Sequence, residues 1–168
     1  METFGAEHVE AAARLWLGEY DRLPETPRLL APLGRSTPDA IRTFLVELAQ
    51  RGTGVVAMAA GDPVGYMVAE EFDFHGERCA FVPILAHAAR HEHLQETYHE
   101  MYVELSKRLV RRGAYSHLVT VFSERPELCR LLYDYGFGGY VMDAVRPVPS
   151  RQNASVPVGG AAELVLDE

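Results

Sequence analysis

The chain has 168 residues, 48% hydrophobic and 24% charged, enough for one globular domain with a full core and no need of disulfide staples. Its 24 acidic and 16 basic residues leave a net charge of −8, which argues against nucleic acid or an anionic membrane surface as partner. No apolar run approaches membrane-spanning length and the first residues are acidic, not leader-like, so a cytoplasmic location is expected.

From Ala6 to Leu23, residues Val9, Ala12, Ala13, Leu15, Trp16, Leu17 and Tyr20 fall on one side of a helical wheel, and Pro24 and Pro27 end the helix. Leu23 to Arg35 contains three prolines and no sustained period, so it reads as a loop. Thr37 is placed to cap a second helix with Pro38 in its first turn; Ile41, Phe44, Leu45, Leu48 and Ala49 form its apolar stripe and Gly52 closes it. The period then changes. Gly54–Ala60 and Val64–Phe72 predict a hairpin about Gly61-Asp62-Pro63, and Asp73–Arg78 turns the chain into a third strand, Cys79–Ala86. That strand is apolar enough for burial on both faces, but Pro83 inside it has no N–H to give a ladder. A bulge is predicted there, beyond which this strand parts from its later neighbour.

His87–His93 reads as a linker into a long helix whose stripe is Leu94, Tyr98, Met101, Tyr102, Leu105 and Leu109. Glu92 and Glu96 suit its start; Lys107, Arg108, Arg111 and Arg112 suit its end, before Gly113. Ser116–Phe122 is a strand, Glu124–Tyr135 a short helix with Pro126 in its first turn, broken by Gly136-Phe137-Gly138-Gly139, and Tyr140–Val148 a last strand. The order α-α-β-β-β-α-β-α-β predicts an α+β domain over residues 1–148, a central mixed sheet flanked by helices in three layers. Residues 149–168 read as a linker or poorly ordered tail.

Five histidines, His75, His87, His91, His93 and His99, crowd one quarter of the chain. Their spacing does not place three on one face, and His99-Glu100 is followed at the needed position by Val103, so no metal site is expected. The plain alternative is a polar rim with His87 buried and hydrogen-bonded. Cys79 and Cys129 sit in apolar company and read as core fillers.

The hairpin with Gly65-Tyr66 past its turn, the Pro83 strand, the long helix to Gly113 and the ending Tyr135-Gly136-Phe137 together resemble the general N-acetyltransferase (GNAT) superfamily over roughly residues 1–148. Val82-Pro83 to His87-Ala88 and Gly136-Phe137-Gly138 to Arg146-Pro147 are most similar to the N-terminal copy of tandem-GNAT proteins, which makes a second GNAT domain or a homodimer the expected protein partner. The resemblance implies an acyl-CoA N-acyltransferase fold, with the thioester arm of acetyl-CoA in a cleft beside the bulged strand and a small-molecule or peptide amine as acetyl acceptor.

It also implies roles. Val82 and Ile84 would hold the oxyanion on backbone N–H groups, while Arg90, His91, His93 and Gln95 would meet the cofactor diphosphate. The family's loop, Gln/Arg-x-x-Gly-x-Gly/Ala, is matched at Arg90 but carries His93 and Gln95 where small residues let amides approach. The family's tyrosine acid falls on Leu132, which has no proton to give, so Tyr133 is the stand-in. Glu71, in the Glu70-Glu71 pair, is the carboxylate that would attend the acceptor amine; a solvated strand end is its plainer reading. Two functions remain: amine acetylation from acetyl-CoA, or a degenerate GNAT-like domain serving as a structural or binding partner.

Overall fold

The computed structural model describes residues 1–23 and 38–142. The predicted loop, the Thr37 cap, most of the last strand and the tail lie outside them. Strand β1 is Glu2–Thr3; a single 3-10 turn at Ala6–His8 leads into α1, Val9–Tyr20, and α2 is Pro38–Arg51. Strands β2 (Thr53–Ala59), β3 (Asp62–Phe74), β4 (Glu77–Val82) and β5 (His87–Ala89) follow. Another 3-10 turn, His91–His93, opens α3 (Leu94–Arg111), and the described elements end with β6 (Ser116–Val119) and α4 (Pro126–Asp134). Tyr140–Met142, the described start of the expected last strand, is not in a strand.

The sheet runs β1-β2-β3-β4-β6, antiparallel except for the parallel β4–β6 pair. The expected mixed sheet flanked by helices is therefore present. Two-residue turns with both φ positive, Ala60-Gly61 and His75-Gly76, make the hairpins tighter and β3 longer than composition suggested. Alternation along β3 sorts the layers. A Cβ on Gly65 would meet Thr97 Cγ2 of α3 at 2.7 Å, so only glycine lets this helix approach so closely. The next residue, Tyr66, faces the opposite layer and is fully buried. On α1, Trp16 is buried; on α2, Ile41, Leu45 and Leu48; on α3, Met101, Leu105 and Leu109; all belong to one continuous core.

β5 was expected as linker, and the reason it is a strand lies in β3. This strand is long enough to pair β4 through Glu70–Phe74 and β5 through Gly65–Met67. Three steps along β3, from Glu70 to Met67, face six along the other chain, from Phe81 to His87. Three residues are therefore extra, and Pro83–Ala86 absorbs them as a turn closed by Ala86 N–H on the Pro83 carbonyl at 2.9 Å. The other carbonyls are also taken: Trp16 Nε1–H donates to Ile84 O at 2.9 Å, Tyr66 O–H to Leu85 O at 2.7 Å, and Val68 N–H to Ala86 O at 2.9 Å. Two buried aromatic side chains thus hold the bulge open in one shape.

Removing one of these donors tests that account. Tyr66→Phe deletes a single oxygen and leaves the Leu85 carbonyl without its donor, which is expected to lower the unfolding free energy by about 1–3 kcal/mol at unchanged denaturant m-value. Urea unfolding measures it, and a variant as stable as the parent would show that the bulge does not depend on Tyr66.

Candidate functional site

Beyond Val82 the central strands part. β4 and β6 pair from Cys79–Ser116 to Val82–Val119, and Thr120 N–H still reaches the Val82 carbonyl at 3.0 Å. The ladder ends where Pro83 was predicted to end it, and β5 pairs with β3 alone. Val68 N–H on Ala86 O and Arg90 N–H on Val64 O, at 2.9 and 2.8 Å, show that the even-numbered residues turn their polar groups towards β3. Alternation then turns the N–H and C=O of His87 and Ala89 into the split. That is an open edge onto which an extended amide chain can hydrogen-bond.

The α3 side of the split is spanned by one histidine. His87 is 5% exposed, with Nε2 at 2.8 Å from the Thr120 carbonyl and Nδ1 at 2.8 Å from the Tyr98 hydroxyl. A carbonyl only accepts, so Nε2 carries the proton and Nδ1 accepts from Tyr98. Burial pushes the imidazole down to about 4, against the pull of the Thr120 carbonyl. Nearby, Glu19 at the end of α1 lies 2.7 Å from Arg125 before α4, both buried. The Glu19 carboxylate oxygens lack an aligned donor among the described residues, so charge holds this pair. Desolvation raises the Glu19 carboxyl, opposed by Arg125.

At the end of β5 a groove of about 420 Å³ opens between α1 and the entry to α3, with Arg14, Gly18, Arg22, Asp62, Arg90 and His91 along it. Arg90 and His91, expected at a cofactor diphosphate, lie along it, and so do Arg14 and Arg22, which the sequence reading did not single out. Their four-and-eight spacing about Gly18 was readable as one face of the first helix continued past its end, but only the apolar face of that helix had drawn attention.

The other anticipated residues scatter. Val82 is buried at the end of β4, and Ile84 lies in the bulge with its carbonyl on Trp16. His93, at the end of the 3-10 turn, and Gln95, in the first turn of α3, are exposed and outside the groove lining, with His93 3.2 Å from Glu96. Tyr133 is 61% exposed, whereas Leu132 faces inward beside Tyr98, Tyr102 and Tyr135. Glu71 sits instead at the far end of α3, on Arg112, on Arg78 at 2.6 Å and on Thr53 at 3.0 Å. Desolvation would raise its carboxyl, but Arg112 and Thr53 prevail and hold it below the usual range. The histidines are likewise dispersed: His75 is in a hairpin turn and His99 on the Tyr135 hydroxyl.

No family model matches the sequence. No curated protein matches it significantly either. Solved structures do match. An aminoglycoside N-acetyltransferase, AAC(6')-Iy, in complex with CoA is 13% identical, with 88% of this chain and 93% of that one covered and a TM-score of 0.62. A GCN5-related N-acetyltransferase from Ralstonia eutropha JMP134 is 12% identical over 88% and 96% of the two chains, TM-score 0.64. A ribosomal-protein-alanine N-acetyltransferase from Brucella melitensis biovar Abortus 2308 is 16% identical over 86% and 97%, TM-score 0.57. At such identities the likeness shows the fold, and the chain has the GNAT acyl-CoA N-acyltransferase fold.

The buried imidazole makes stability depend on pH in a defined sense. Its native value of about 4 lies below the ordinary 6.5, so the unfolded chain takes up this proton first. His87's contribution is whole above about pH 6.5 and lost progressively towards about pH 4, by roughly 3 kcal/mol in all. Comparing His87→Gln with the parent by urea unfolding across that window isolates the effect. Parallel curves for the two proteins would show that His87 is not the group responsible.

Proposed function

We propose that the chain is an N-acetyltransferase-type domain that takes acetyl-CoA at the open edge of β5 and an amine beside it. One observation carries this: the bulge turns the amides of His87 and Ala89 into a split next to a groove with three arginines. The residues present fit the cofactor at both ends, since an open strand edge suits an amide-bearing arm and guanidinium groups suit a diphosphate. When bound, acetyl-CoA supplies an activated acetyl thioester.

The chain's own part is positioning. The edge N–H groups of His87 and Ala89 and the backbone of the Val82–Ile84 bulge fix the acyl group and offer donors to a developing oxyanion. The acceptor nitrogen bonds to the acyl carbon as the carbon–sulfur bond breaks, the amine losing a proton and the thiolate gaining one. Arg90 and His91 face the diphosphate end. Tyr133 and Glu71 have no place in this scheme: one is in solvent and the other is engaged by two arginines. Leu132 supplies no acid, so this reading takes water as the proton source and expects slow transfer.

A second reading has its own support. With His87 hydrogen-bonded across the split to Thr120 and bulky His93 and Gln95 at the entry to α3, the domain has kept its shape as a binding partner for another domain and lost its chemistry. Calorimetric titration with acetyl-CoA, paired with detection of released thiol in the presence of amine acceptors, separates the two.

At about pH 7.5 we expect binding in the high micromolar range, worth about 5–6 kcal/mol, and slow thiol release. Replacing His93 by Gly and Gln95 by Ala together should tighten it by clearing the loop amides. Binding without release favours the second reading, and no binding even at millimolar acetyl-CoA overturns the first.

A further inference from the structure

The function proposed above uses backbone donors and leaves the imidazole of His87 idle. Its surroundings show what it replaces. β4 and β6 run parallel, and Thr120 N–H still bonds to the Val82 carbonyl at 3.0 Å. In an unbroken parallel ladder the next bond would run from the N–H of Ile84 to the Thr120 carbonyl. The turn from Pro83 to Ala86 takes Ile84 out of line, and its carbonyl accepts from Trp16 instead. His87 Nε2–H meets the Thr120 carbonyl at 2.8 Å, so a side chain stands where the strand would have stood. Tyr98, itself 5% exposed, donates to Nδ1 at 2.8 Å and keeps the ring proton on Nε2. Burial pushes the imidazole down to about 4, so it is neutral at neutral pH.

The two ends of the His87–Thr120 bond are not equivalent. Thr120 is exposed, so water can serve its carbonyl once the imidazole leaves. The imidazole is buried, and an N–H left there without an acceptor carries the full cost of desolvation. A group that parts the two must therefore bring its own acceptor, and Nε2–H is already aimed for a carbonyl oxygen.

We propose that His87 is a catalytic residue whose Nε2–H passes from the Thr120 carbonyl to the acyl carbonyl oxygen of the thioester, with Tyr98 as its positioning residue. This rests on the acetyl-CoA function proposed above. As the amine nitrogen bonds to the acyl carbon, negative charge gathers on that oxygen; as the carbon–sulfur bond breaks, the charge returns into the carbonyl. No proton leaves Nε2. A neutral imidazole polarises a carbonyl in this way when its environment keeps it unprotonated. Its hydrogen bond strengthens as the charge develops, which lowers the barrier and not only the dissociation constant.

Nitrogen NMR of isotope-labelled histidine side chains reads the contact without turnover. The free chain should show a protected His87 Nε2–H signal. Acetyl-CoA should shift it, and CoA, which has no acyl carbonyl, should move it far less. Thiol release with ethanolamine or a lysine-containing peptide as acceptor is then compared in the parent, His87→Met, His87→Gln and Tyr98→Phe, each checked for folding by circular dichroism. Methionine offers no N–H and should lower kcat roughly 100-fold or more, with KM for acetyl-CoA little changed. Glutamine keeps an N–H for the acyl oxygen and a carbonyl for Tyr98, so it should recover about tenfold of that loss. Tyr98→Phe should lower kcat by about tenfold through a misplaced ring.

A ring signal left unmoved by acetyl-CoA that calorimetry shows to be bound overturns the role of His87 and leaves the acetyl-CoA function standing. A folded His87→Met chain that releases thiol at the parent's rate does the same. No binding of acetyl-CoA at millimolar concentration overturns both. A shifted signal without thiol release in the parent overturns the catalytic role and leaves a carbonyl-binding site, as the second reading requires.

Discussion

Three residues more on one side of a strand pair than on the other must be accommodated, and the architecture turns on how this chain does it. Pro83 stops the ladder with β6, the turn to Ala86 takes up the excess, and β5 resumes pairing with β3 alone. A bulge with loose carbonyls would be free to slip back into register. Here Trp16 reaches it from α1 and Tyr66 from β3, so helix and sheet clamp it together. The split between β5 and β6, the open amides of His87 and Ala89 and the placement of the groove all follow from that clamp.

Charge is distributed on the same frame. Glu71 gathers Arg78 and Arg112 at one end of α3, far from the entry to that helix, and ties β3, β4 and α3 together. Glu19 and Arg125 tie the end of α1 to the start of α4, and losing either partner would leave a buried charge uncompensated, which costs about 3–5 kcal/mol. These pairs consume carboxylates in structural duty. Arg14, Arg22 and Arg90 stand together along the groove, and a surplus of acid elsewhere does not cancel them at short range, because screening confines each charge to about 8–10 Å.

Much of the fold was legible because it rests on local signals. Stripes at helical spacing placed the four helices, and Pro83 marked the end of a ladder. β5 was not legible: His87-Ala88-Ala89 has neither length nor β-branched residues, and it is a strand only because β3 runs far enough to pair with it. β1 escaped notice for the same reason, being two residues that borrow order from β2. Arg90 and His91, singled out through a loop pattern, line the groove. Glu71 looked available because its acidic neighbourhood read as a solvated strand end, whereas the two arginines that take it lie seven and forty-one residues further along. Tyr133 could not be told from Tyr135 or Leu132 without knowing which side of α4 meets α3.

Trp16 is the one tryptophan of the chain, it is 2% exposed, and its indole N–H rests on the Ile84 carbonyl inside the bulge. Its ring also stacks on Tyr20, with centroids 4.9 Å apart, and Tyr20 in turn meets Phe122 beyond β6. The tryptophan fluorescence of the protein therefore originates at the bulge, one ring away from Phe122 on the far wall of the split. Anything that enters the split and spreads those walls changes the surroundings of the only indole, so the molecule carries an optical probe of its own cleft without a label.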